Sequence, residues 1–62
     1  MKDKSGTILK IGDRVVEDKT GMVFVLENIR GVSMGVARDK NRRIIKTVIL
    51  RKMDFMKMEK VV

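Results

Sequence analysis

The chain contains no histidine, cysteine, tyrosine or tryptophan, and its only aromatic residues are Phe24 and Phe55. Each absence removes a class of chemistry. Without histidine or cysteine there is no imidazole base, no thiolate nucleophile and no Cys or His ligand for a structural metal. Disulfides are impossible too. A chain with no cysteine to oxidise suits a reducing compartment, so a cytoplasmic location is expected. Without tyrosine or tryptophan there is little with which to stack unpaired bases or to line a groove for proline-rich peptides. Long apolar runs are also missing. None approaches the roughly 18 residues that a membrane-spanning helix requires, and no apolar core of a secretory signal follows the polar residues Met1 to Gly6. These absences lead us to expect a protein that is not an enzyme, with no cofactor, no metal and no membrane partner.

What is present is charge and aliphatic bulk. Fifteen Lys and Arg stand against eight Asp and Glu, a formal net charge of +7 in 62 residues. The isoelectric point of about 10.3 points to an acidic partner such as nucleic acid, an anionic membrane or an acidic protein face. Apolar residues make up 44% of the chain, enough for one small core and against disorder. A domain of this size buries only about 60% of its unfolded surface. Disulfides and metals are unavailable as staples, which leaves a homodimer or docking on a partner as possible external support. The short length and initial methionine lead us to expect a whole small gene product, of phage or mobile-element type.

Glycines and polar clusters punctuate the chain into short strands. Residues 1–7 are polar and are expected to form a flexible N-terminus, with a single small β domain over residues 8–62. Ile8 to Ile11 is a lead-in or edge strand. Arg14-Val15-Val16-Glu17 reads as a half-buried strand. Asp18-Lys19-Thr20-Gly21 is a turn in which glycine supplies a positive φ. Met22 to Ile29, rich in β-branched and aromatic residues, is the expected central strand. Arg30-Gly31 turns the chain. Val32, Met34 and Val36 then alternate with Ser33, Gly35 and Ala37, so one face is bulky and the other small enough for close approach of another backbone or a tight bend. Asp39-Lys40-Asn41 makes another turn, with asparagine suited to the left-handed region. A strand from Arg43 to Leu50 leads to a 3-10 turn or corner at Arg51 to Phe55. Met56, Met58, Val61 and Val62 complete a last short strand. The spacing predicts an all-β fold, a small barrel or curled antiparallel sheet.

Three short motifs imitate catalytic or metal sites. Gly31-Val32-Ser33-Met34-Gly35 has the spacing of a nucleophile elbow, but that device needs a histidine base. Asp18-Lys19-Thr20-Gly21 resembles the start of the phosphorylation motif of P-type ATPases, with Met22 where threonine is required. Turn chemistry accounts for all four residues. Asp39 and Asn41 have the opening spacing of a calcium loop, but Ile44 and Leu50 fall where glycine and glutamate are needed.

The positive charge is concentrated. Arg38, Lys40, Arg42 and Arg43 crowd one hairpin tip, and Lys46, Arg51 and Lys52 follow it. These seven are the candidate nucleic-acid-binding residues. Cations in such an array release counterions from phosphates, and guanidinium groups grip phosphate oxygens in a fork. The competing account is a solvated turn whose charges keep a sheet edge from pairing. Phe24 and Phe55 are expected in the core, so duplex DNA or structured RNA suits the chain better than unstacked bases. No recognition helix is apparent.

Ile11-Gly12-Asp13-Arg14-Val15-Val16, then Thr20-Gly21-Met22-Val23, then Glu27-Asn28-Ile29, resembles the KOW and SH3-like barrel pattern. Leu50-Arg51-Lys52-Met53-Asp54-Phe55 is similar to the closing corner of such barrels. The resemblance implies a five-stranded barrel that binds nucleic acid, ribosome, RNA polymerase or other proteins, with Gly21 in the turn-glycine position. Two functional classes follow. One is a nucleic-acid-binding accessory or regulatory factor. The other is a non-catalytic module that docks on a larger polymerase, nuclease or recombinase, with Met53, Met56 and Met58 as core filler or as an adaptable patch.

Overall fold

The computed structural model of the chain describes residues 1–54 and 56–61. The placements expected for Phe55 in the core and for Val62 in the last strand lie outside the described residues. Five strands form one antiparallel sheet: β1 (Arg14–Glu17), β2 (Val23–Ile29), β3 (Val32–Arg38), β4 (Ile44–Ile49) and β5 (Met58–Lys60). One short helix, α1 (Leu50–Met53), joins β4 to β5. The order across the sheet is β4-β3-β2-β1-β5. The fold is therefore all-β, and β2 is central as its apolar composition predicts. The corner expected as a 3-10 turn is instead one α-helical turn that begins at Leu50, with the Asp54 N–H donating to the Leu50 carbonyl at 3.2 Å.

Alternation along the strands sorts side chains onto two faces. Val15 pairs with Phe24, and Leu26 pairs with Gly35, which in turn pairs with Val48. These residues point toward one core, with Leu9, Val15, Phe24, Leu26, Ala37, Met53 and Met58 buried together. Met53 and Met58 are thus core filler, and Met56 packs against the same cluster. The small face of β3 lies inward because α1 needs the room. A Cβ built on Gly35 would stand 2.5 Å from Met53 Sδ. The close approach expected at this glycine is real, but a thioether makes it and not a backbone.

Each hairpin closes by its own chemistry. Gly21 (φ 71°) ends the loop between β1 and β2, where the Gly21 N–H donates to the Glu17 carbonyl at 2.8 Å. Thr20 Oγ1 donates to Glu17 Oε1 and accepts from the Met22 N–H, at 2.7 and 3.2 Å. The two-residue turn Arg30-Gly31 has positive φ at both positions (52° and 81°), the form that matches the twist of paired strands. At the β3–β4 turn the left-handed residue is Arg42 (φ 63°), not Asn41. Asp39 fixes that geometry. Its Oδ1 accepts from the Asn41 and Arg43 N–H groups at 2.8 and 3.0 Å.

The N-terminal segment, expected to be flexible, is tied to β5. Asp3 is buried. Its Oδ1 accepts from the Ser5 and Thr7 N–H groups at 3.0 and 2.8 Å, and its Oδ2 accepts from the Lys60 N–H at 3.0 Å. The Lys4 N–H donates to the Met58 carbonyl at 2.9 Å. Bonding of this carboxylate by backbone N–H groups, first that of Lys60, holds its pKa below the ordinary aspartate value despite partial desolvation. Ile8, expected in a lead-in strand, makes an isolated bridge with Lys2.

Candidate nucleic-acid interface

Residues 38–52 hold seven of the fifteen Lys and Arg but only one of the eight Asp and Glu, Asp39. Both Asp39 contacts are spent on closing the turn, so the segment's positive charge is almost uncompensated within itself. The fold lays this segment along the side of the sheet. Lys40, Arg42 and Arg43 stand at the β3–β4 tip, Lys46 within β4, and Arg51 and Lys52 on α1 at the far end of that strand. Six residues of strand separate tip from helix, a ridge roughly 20 Å long at about 3.3 Å per residue. All six of these side chains belong to exposed residues. Among the described residues none has an acidic group within 4 Å.

Arg38 differs from its neighbours. Its guanidinium forms a two-pronged ion pair with Glu27, Nη2 donating to Oε1 at 3.1 Å and Nη1 donating to Oε2. That bond raises the already high arginine pKa. Alternation places Glu27, Val25, Val36 and Arg38 on the sheet face opposite the core. The ion pair therefore bridges over the Val25–Val36 pair, and Val36 is fully buried although it lies outside the main core. Arg38 serves the sheet surface, and the free ridge consists of the other six candidates.

The catalytic look-alikes resolve into structure. Gly31 occupies the two-residue turn, Ser33 is half-buried on β3 and Gly35 lies under Met53. Asp18 accepts from Lys4 Nζ at 2.7 Å. Hydrogen bonding to Asp18 raises the Lys4 pKa. Among the described residues no group of three acidic side chains could hold a metal ion, and no helix is long and apolar enough to cross a membrane. An open recess of about 380 Å³ is lined by Glu17, Asp18, Lys19, Met56 and Lys57. Its charges are mixed, and it lies beside β5, away from the ridge.

Sequence reasoning missed the two isoleucines within the ridge. Ile44 and Ile45 are 50% and 58% exposed, whereas their composition marks them only as strand residues. Their position on a terminal strand explains the exposure. A register irregularity at Ala37/Arg38 also leaves Ile45 without a cross-strand partner, since Arg38 pairs with Ile44 and Ala37 with Lys46. No protein-family model, curated protein or solved structure matches the chain.

Proposed function

We propose that this chain is a small basic nucleic-acid-binding accessory or regulatory factor that grips the phosphate backbone of duplex DNA or structured RNA. One observation carries the reading: six exposed cations without ion-pair partners among the described residues, set along one edge of the sheet. Each phosphate neutralised releases condensed counterions, which supplies affinity without sequence readout. The absence of tyrosine and tryptophan favours a base-paired ligand over single strands. In the same proposal the sheet belongs to the SH3-like barrel class. The return of the last strand to pair with the first, after a one-turn helix, supports that kinship. The test is a gel shift at low salt with duplex DNA, structured RNA and single-stranded DNA of equal length. Retention of a base-paired ligand, with single strands weaker, is expected. Retention of none would refute the reading.

A second reading is favoured by Ile44 and Ile45. In it the chain is a non-catalytic module that docks on a larger nucleic-acid enzyme. A phosphate backbone has no use for two half-exposed isoleucines, whereas a protein surface does.

A further inference from the structure

We propose that β4 is a receiving edge for an extended acidic segment of a partner protein, which adds to the sheet as a sixth strand. This rests on the docking reading above and names its partner and mode. The two ends of the sheet are β4 and β5. β5 is three residues long and is covered by the N-terminal segment through Asp3 and Lys4. β4 is six residues long, and Ile44–Val48 make no backbone hydrogen bonds among the described residues beyond their pairing with β3, Ile49 being the N-cap of α1. It therefore offers a row of unpaired N–H and C=O groups, the template on which an extended peptide pairs.

Charge selects the occupant. The exposed isoleucines are flanked by Arg42, Arg43 and Lys46, and the row ends at Arg51 and Lys52. An incoming strand with alternating carboxylates and aliphatic side chains would meet the cations with its acids and Ile44 and Ile45 with its apolar residues. A second copy of this chain is disfavoured. Two β4 strands paired about a two-fold axis would bring the unpaired cations of both copies to one seam, and like charges across a strand pair repel. The cations thus block self-association and leave the edge open to an acidic strand.

The probe is a ten-residue peptide of alternating valine and glutamate, titrated into the intact labelled protein and followed by NMR and amide exchange. Two controls accompany it: the same peptide with lysine for glutamate, and the same peptide N-methylated at alternate residues along its pairing edge. The acidic peptide should slow exchange of alternate β4 amides by about tenfold or more. N-methylation should weaken binding by about tenfold, and the lysine peptide should not bind. Equal binding of the N-methylated peptide, with no β4 amide protected, would overturn strand addition while leaving acidic docking intact. Failure of every acidic peptide under conditions where duplex DNA binds would overturn both the inference and the docking reading. Dimerisation of the free protein through β4, seen as protection of the same amides that rises with protein concentration, would likewise overturn it.

Discussion

The two edges of the sheet are built from opposite materials. At the β5 edge the strand is short, its methionine is buried, a carboxylate from the N-terminal segment accepts its backbone N–H, and two of the nearby lysines have acidic partners: Lys4 with Asp18 and Glu59, and Lys60 with Asp13. At the β4 edge the strand is long, two isoleucines face solvent, and six cations along and beside it form no ion pair among the described residues. Small antiparallel sheets must manage their edges. This one covers one edge with its own chain and guards the other with charge alone. The difference teaches that one edge is closed by burial and hydrogen bonds while the other is left open, and it is to the open edge that we assign recognition.

The sharpest contrast is a pair of truncations. Met58→Ala removes a fully buried side chain from β5 and is expected to cost about 2–5 kcal/mol, enough to unfold much of the population in a domain this small. Ile45→Ala at the open edge should change stability by less than about 0.5 kcal/mol. Urea denaturation of both variants measures the difference, and equal losses would erase the distinction between the edges. Next comes Gly35→Ala, at the small face that admits Met53. Here the added methyl must displace a buried thioether, at an expected cost of about 1–3 kcal/mol. A variant as stable as the parent would show that α1 is not seated on β3 as described.

A smaller effect is expected from acid. Asp3 is more acidic in the folded chain than in the unfolded one. It therefore contributes stability above the ordinary aspartate value of 3.8, and that contribution is lost as pH falls below this value and through the lower folded pKa. Amides of β5 and of the N-terminal segment should lose exchange protection in that window before those of β2 and β3. Asp3→Asn should weaken the same contacts at neutral pH and flatten the acid response. Uniform loss of protection across the sheet would break the link between Asp3 and the covered edge.

Much of the strand pattern is legible in sequence, because alternation and turn chemistry are local. Arg14-Val15-Val16-Glu17 is bounded by turn residues on both sides, and Val32 to Ala37 alternates in bulk residue by residue. What is not legible depends on distance along the chain. Asp3 bonds Lys60 across 57 positions, and nothing near Asp3 marks it as more than a polar residue in a polar tail. The inward choice of the small face of β3 depends on Met53, which arrives only after β4 is laid down. The cationic segment is legible as a run of charge. Its division into one arginine held by Glu27 and six free side chains is not, because the pairing depends on the β2–β3 register. The exposure of Ile44 and Ile45 depends on β4 being terminal in the sheet, which composition does not reveal.

The most direct test of the β4 ridge as a phosphate grip is the salt dependence of duplex DNA binding, compared between the parent chain and the double variant Arg42→Glu, Arg43→Glu. Affinity of the parent should fall linearly on a double-logarithmic plot. The variant should bind more weakly, with its slope flatter by about two, one for each lost phosphate contact, and with its fold unchanged by circular dichroism. A folded variant with the affinity and slope of the parent would contradict the assignment of the ridge.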